Sequence, residues 1–465
     1  MFVFGRSDEI KLDYHKFKLR FTGRLMFIIM GVSISYHPQH FYEPIFGKRF
    51  SCNSPLFQDA SFAMLGIEAP QTVQQVLVPC RTVCKCLGLV PVFVEKDLPK
   101  WKKWLNAGHL LLFMMLIARG TWNCLRRELT LAHDSGSMVV RHSNVLTIFT
   151  YYVQPLLGII TSRAVAGKTY GLISNIETID GMFMSLGTQT SYTKERNFVV
   201  MVIVSAVVGS IISFSVYFLY DDEMDWEYFF ETVHFNLLFT MTCIYGVSVS
   251  YLIHRRLYLT NETISKHFPS TIPLDVAKLP EKVSSVTSSE DQREALIKIK
   301  FIVDQLKDTI SLVNQCFSLQ VLYCVGVSFV IGIVCSFYLF RAVIYRNDQL
   351  VMGVVNFVWY MYYISFVLFF IAIGSRISHE GQRIGITVHK AINFCNTSRT
   401  VINELIIFSQ QLLHHIPVIT CGLFVYDWSL LYTMLGATAT YLIILIQFDV
   451  SFPSLDAIGN LTSQE

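Results

Sequence analysis

Seven stretches of this 465-residue chain run for about twenty residues with almost no charged side chain, long enough for a helix to cross the hydrocarbon core of a bilayer. They lie at roughly 105–125, 143–166, 197–220, 229–253, 317–340, 350–375 and 428–448. Hydrocarbon offers the backbone no water to bond, so a spanning segment has to satisfy its own N–H and C=O groups, as a helix does. The runs therefore predict an all-α membrane protein with seven transmembrane helices. Composition agrees, with 52% hydrophobic, 14% aromatic and only 15% charged residues and a mean hydropathy of +0.46. A soluble enzyme is not built from such a mixture.

Basic residues favour the cytoplasmic ends of spans. Of the 37 Lys and Arg, 30 fall before the first run or in the second-to-third, fourth-to-fifth and sixth-to-seventh connections. That bias predicts a cytoplasmic N-terminus and an extracellular C-terminal tail, 449–465. The Asp221-Asp222-Glu223-Met224-Asp225 loop and the tail carry no basic residue at all. A G-protein-coupled receptor sits the other way up. The chain also lacks an Asp-Arg-Tyr after the third run and an Asn-Pro-x-x-Tyr in the seventh.

Two helical stripes lie outside the runs. Ile299, Val303, Leu306, Ile310 and Val313 recur at gaps of 4, 3, 4 and 3, and Leu405, Phe408, Leu412 and Ile416 repeat the pattern. They predict long cytoplasmic helices, the first running straight into the fifth span, packed either within one chain or as a shared anchor region. The segment at about 267–290, rich in Ser, Thr, Pro and Lys and without periodicity, reads as a disordered linker. Residues 1–72 read as a cytoplasmic extension, basic from Lys11 to Arg24, whose apolar stretch Leu25–Ile34 is too short to span.

The last run ends in Thr440-Tyr441-Leu442-Ile443-Ile444-Leu445-Ile446-Gln447-Phe448. Helical spacing puts Thr440, Ile443 or Ile444, and Gln447 on one face. A lone amide in hydrocarbon is costly, so Gln447 needs a protein partner or water. Either it bonds a neighbouring helix, or several copies of this helix ring a pore with Ile and Phe as a hydrophobic gate.

Thr-Tyr, five apolar residues, then Gln-Phe close to the C-terminus resembles the signature of the insect gustatory receptors, in wording nearest their fructose-receptor-like branch. Leu312, Asn314 and Phe317, and Leu87-Gly88-Leu89-Val90-Pro91, are similar to other family segments, so the resemblance covers about Val73 to Phe448. It implies a tastant-gated non-selective cation channel in a sensory-neuron plasma membrane. It also implies a homotetramer, or a heteromer with related receptors, whose last helix lines the pore through Thr440, Tyr441, Ile444, Gln447 and Phe448. The layout expected is a six-helix ligand-binding domain at 73–390, an anchor helix at 391–427, a pore helix at 428–448 and the tail. A non-conducting seven-span receptor or a transporter is the alternative.

A sugar or polyol such as fructose or inositol binds against aromatic faces with side chains that reach several hydroxyls. Asn356, Trp359, Tyr360 and Tyr363 fall at one helical spacing in the sixth run; Thr147, Tyr151 and Gln154 do so in the second. Asp222, Trp226, Glu231 and His234 come from the third-to-fourth connection and the start of the fourth run. The ligand set expected is Tyr151, Gln154, Trp226, Glu231, His234, Asn356, Trp359 and Tyr363. Trp and Tyr also gather at membrane interfaces without binding anything.

No P-loop, nucleophile elbow or paired catalytic carboxylate is present, so no enzymatic chemistry, cofactor or nucleic-acid partner is expected. Cys80, Cys84 and Cys86 lack a nearby His or a second pair at zinc spacing, and adjacent His414 and His415 do not face the same way on a helix; no metal is expected. Of three N-x-S/T sequons, Asn261 and Asn396 fall on the inner side and Asn460 in the tail.

Overall fold

The computed structural model describes residues 70–94, 98–133, 138–218, 226–269, 289–344, 350–394, 398–414 and 417–451. The expected N-terminal extension up to residue 69, residues 270–288 of the linker, the tail beyond 451, Asp222, Asn396, Asn460 and His415 lie outside those ranges. Among the described residues the chain forms ten helices: α1 (Val73–Cys86), α2 (Lys100–His133), α3 (Met138–Ala164), α4 (Ala166–Ser185), α5 (Tyr192–Phe218), α6 (Trp226–His267), α7 (Ser289–Ile344), α8 (Leu350–Phe394), α9 (Arg399–His414) and α10 (Trp428–Ser451). The chain is all-α, as the apolar runs require.

The count of spans is corrected. Five helices among the described residues, α5, α6, α7, α8 and α10, contain stretches long and apolar enough to cross a membrane, where seven were expected. The first two expected spans do fold as helices, α2 and α3. Asn106, His109, Arg119 and Asn123 dilute the first below that apolarity, and much of the second, through Tyr152, carries side chains outside the described ones. The cytoplasmic N-terminus and extracellular C-terminus were drawn from the seven-span order and fall with it.

Local sequence sets the helix ends. Thr72 caps α1, its hydroxyl accepting from the Gln75 N–H. Asp427 caps α10: one carboxylate oxygen accepts from the backbone N–H of Ser429 (3.0 Å) and Leu430 (3.3 Å) and from the Ser429 hydroxyl (2.6 Å). Those hydrogen bonds, led by the hydroxyl, hold the Asp427 carboxyl below its ordinary range.

The core gathers around α6, which packs on α1, α2, α3, α5, α7 and α8. Of its apolar stretch 78% is buried, against 11% for α10, which rests chiefly on α7 and α8. Cys243 meets Cys324 and Tyr245 meets Phe317, so α6 and α7 run antiparallel. Phe329 meets Tyr441 and Arg341 meets Asp449, so α7 and α10 run the same way.

Length then divides the bundle. The 56 residues of α7 and 45 of α8 extend about 84 and about 68 Å at 1.5 Å per residue, against a hydrocarbon core of about 30 Å. Both outrun the bilayer, and α7 joins the Ile299 stripe to the fifth expected span without a break. Where α4, α5 and α6 meet, Arg256 is fully buried and bonds Asp180 (2.8 Å) and Glu195 (2.6 Å), while the Tyr192 hydroxyl donates to Asp180 (3.0 Å). A buried guanidinium is tolerated because both carboxylates answer it. Nearby, the Asn261 amide donates to the Glu380 carboxylate (2.8 Å) and carbonyl (3.0 Å), tying α6 to α8. At 4% exposure, that sequon is closed to glycosylation in the folded chain.

Residues 417–427 lead from α9 into α10 and are held in place. The Asn314 side chain of α7 acts as a backbone mimic: its amide donates to the Val418 carbonyl (3.1 Å) and its oxygen accepts from the Thr420 N–H (3.1 Å). On α8, a Cβ at Gly374 would sit 2.5 Å from the Tyr426 carbonyl oxygen, and one at Gly381 would sit 2.3 Å from the Pro417 ring. Two glycines seven residues apart thus make the groove in which the connection lies.

Arg256→Met strands two buried carboxylates and is expected to cost about 3–5 kcal/mol. Adding Asp180→Asn and Glu195→Gln should recover part of that loss. Thermal unfolding of the purified protein in detergent measures it; an unchanged transition for Arg256→Met would contradict the role given to the cluster.

Candidate functional site

Where α5, α6 and α8 meet, five polar side chains form a buried network. The Tyr362 hydroxyl lies 2.8 Å from Ser210 Oγ and 2.5 Å from Thr240 Oγ1; the Asn236 amide donates to Ser210 (3.2 Å), and the Tyr363 hydroxyl to Asn236 (3.4 Å). A tyrosine brought into an apolar bundle needs a partner for its hydroxyl, and these residues supply it. Trp359 stands edge-on to Tyr362 (5.9 Å between ring centres) and tilted against Tyr363 (6.1 Å). Trp359 and Tyr363 were expected together and are together. Tyr360 turns instead toward α7, against Gly332, and Asn356 is half-buried one turn before Trp359.

Gln154 lines a small cavity between α3, α6 and α7, with Thr161, Phe239, Thr242, Gln320 and Tyr323 among its other walls. About 20 Å3 is open to the centre of a water molecule, room for one or two waters and not for a sugar ring in this conformation. Phe239 connects the two places, since it faces this cavity and packs on Tyr363 at 5.0 Å.

Glu231 and His234 point elsewhere, toward α2. Asn123 donates to the Glu231 carboxylate (3.2 Å), and the His234 ring stacks on Phe113 at 6.4 Å, with its Nε2 buried and lacking a hydrogen-bond partner. Trp226 is exposed and clusters with Phe229 and Phe230, the arrangement of an interfacial aromatic belt. The Tyr151 and Thr147 side chains lie outside the described ones. The expected ligand set therefore divides into an α8 group, Gln154 across Phe239 from it, and a pair facing α2.

Sequence reading missed Ser210, Asn236, Thr240 and Tyr362. A signal was there: Asn236 and Thr240 are spaced i, i+4 in an otherwise apolar run, and so share one helix face.

In α10, Tyr441 packs edge-on against Phe329 of α7 at 5.9 Å. Thr440, Ile444, Gln447 and Phe448 are exposed, and the Thr440 hydroxyl is satisfied within the helix by the Gly436 carbonyl (3.0 Å). Arg341 of α7 bonds Asp449 at 3.3 Å and ties down the end of the helix. Among the described residues no three His, Cys, Asp or Glu come together as metal ligands.

The fold has solved counterparts. The insect olfactory receptor OR5 from Machilis hrabei superposes with a TM-score of 0.60 at 14% identity, covering 80% of this chain and 98% of that one. The same receptor solved in complex with eugenol gives 0.59 at 12% identity with the same coverage. Curated relatives from Drosophila melanogaster include Putative gustatory receptor 28b, 25% identical over 63% of this chain and 66% of that protein. Putative gustatory receptor 2a is 28% identical over 39% of this chain and 49% of its own length. The chain thus spans less than two thirds of either relative. The sequence model of the 7tm chemosensory receptor family matches residues 77–452, most of the chain. This multi-pass membrane protein belongs to the 7tm chemosensory receptor family, a family of receptors and not of enzymes.

Proposed function

We propose that this chain is a gustatory receptor that conducts cations when a sugar or polyol, such as fructose or inositol, binds. The observation that carries the reading is the open face of α10. An apolar helix only 11% buried, presenting Thr440, Ile444, Gln447 and Phe448, is incomplete as a single protomer. A Gln amide turned to lipid is costly, whereas the same amide on a watery axis is solvated. Four copies around such an axis, identical or mixed with related receptors, put Gln447 in the lining and Ile444 and Phe448 in a ring that gates by dewetting. The relatives' description as gustatory receptors supports the taste assignment, and with it a place in the plasma membrane of a sensory neuron.

The ligand surface in this reading is built on Trp359 and Tyr363, with Asn356 and Gln154 around them and Tyr151 of the same helix as Gln154 also taking part. Glu231, His234 and Trp226 form its outer limit. Aromatic faces suit the apolar side of a sugar ring, and the hydroxyls and amides suit its polar rim. The small cavity has to widen to admit the ligand, so binding favours a conformation in which α3, α6 and α8 stand further apart. The same α8 carries Gly374, on which the Tyr426 backbone rests one residue before the α10 cap. A shift of α8 is therefore passed to the start of α10 through packed atoms.

Two electrophysiological outcomes are expected in cells expressing the receptor. Gln447→Ala and Phe448→Ala should change relative cation permeability or open probability; currents identical to wild type would remove α10 from the pore. Wild-type cells that never conduct under a sugar and polyol panel would favour a non-conducting receptor or transporter. Trp359→Ala should raise the half-maximal ligand concentration by about tenfold, the loss of one aromatic face. An unchanged half-maximal concentration would rule out the α8 surface.

A further inference from the structure

α1 lies along the bundle with Val73, Val76, Leu77, Cys80 and Cys84 buried and Val78 exposed; Lys85 is half-buried at its flank, and Arg81 faces a small cavity shared with α3, α4 and α6. At its far end Gln74 bonds Glu177. Beyond Lys85 the chain turns and enters α2 as Lys100-Trp101-Lys102-Lys103-Trp104, with Trp101 57% and Trp104 77% exposed. The described residues on either side of 95–97 are tied together. The Asn106 side chain bonds both the N–H (3.1 Å) and the carbonyl (2.9 Å) of Phe93, and Phe93 packs edge-on against Trp101 at 6.0 Å. The Lys102 ammonium sits 5.0 Å from the centre of the Phe93 ring. Arg163 of α3 donates to the Gly88 carbonyl (2.9 Å) and the Asn106 carbonyl (3.2 Å), fastening the turn to α2.

Immediately after the Lys and Trp band, α2 shows an exposed apolar strip: Leu105, Leu111, Leu112, Met115 and Leu116. From Leu105 to Leu116 the helix rises about 17 Å, roughly the depth of one leaflet. Residues 70–109 hold six Lys and Arg against Glu95 and Asp97 as their only acids. Basic heads beside exposed tryptophans, at the end of a leaflet-deep apolar face, match the headgroup, interface and chains of an anionic lipid in that order.

We propose that α1 and the start of α2 form a binding site for an anionic phospholipid. Lys100, Lys102 and Lys103 hold the phosphate and acidic headgroup, Trp101 and Trp104 sit at the level of the glycerol, and one acyl chain lies along Leu105 to Leu116. The half-buried Lys85 extends the positive charge toward α1.

The full-length protein, reconstituted in phosphatidylcholine vesicles, tests this through tryptophan quenching by chain-brominated phosphatidylserine or chain-brominated phosphatidylcholine at equal mole fraction. A Trp101→Phe/Trp104→Phe variant isolates the signal of the two tryptophans. Brominated phosphatidylserine should quench that signal more strongly than brominated phosphatidylcholine. The preference should fall by about fivefold or more in Lys100→Gln/Lys102→Gln/Lys103→Gln and persist in the matching Lys→Arg variant, with thermal unfolding unchanged in both. Equal quenching by the two lipids, or a preference that survives the Lys→Gln changes, would overturn the site. Displacement by soluble glycerophosphoserine would overturn the lipid assignment in favour of a site for free anions.

Discussion

Three helices of this chain are longer than the bilayer is thick and run on beyond it. α6, α7 and α8 carry their apolar packing on past the hydrocarbon into water, where burial no longer follows from the solvent and has to be secured by specific contacts. Arg256, answered by Asp180 and Glu195, Asn261 on Glu380, and Lys300 on Glu404 of α9 provide them. These ties join α4, α5, α6 and α8, and α7 with α9, and the packing of α7 and α9 on α8 makes them one body. Among the five apolar helices, α10 is the least buried.

That contrast gives the molecule its mechanical logic. α10 is joined to the rest at defined points: the Asp427 cap and the clamped 417–427 connection at its start, Tyr441 on Phe329 midway, and Asp449 with Arg341 at its end. The connection lies on α8, the helix that also carries Trp359, Tyr362 and Tyr363. In the proposed channel, this is where a small displacement of α8 would be turned into a change of pore geometry.

The helices were legible because apolar periodicity reports a face and length reports a span. The Ile299 to Val313 stripe led into α7 for that reason, and the Leu405 and Phe408 stripe gave α9 its buried face. The span count was not legible from run length alone, because α2 carries Asn106, His109, Arg119 and Asn123 inside an otherwise apolar helix, and polar groups there and in α3 find partners within the bundle. Arg163, for instance, reaches two backbone carbonyls. In the site, Trp359 and Tyr363 could be paired from spacing on one helix. The Ser210, Asn236, Thr240 and Tyr362 network could not, because its partners come from three helices and their rotation about their axes is fixed only by packing. Glu231 and His234 share a helix face and so read as partners, yet Asn123 and Phe113 of α2 occupy them.

The exposed face of α10 is the feature on which the functional account stands. Single-particle imaging of the full-length protein in lipid nanodiscs, without imposed symmetry, is the most direct test. The account predicts particles of four chains, with Gln447 and Phe448 of each copy turned toward a shared central axis. Isolated chains, or assemblies with α10 on the outside against lipid, would contradict it.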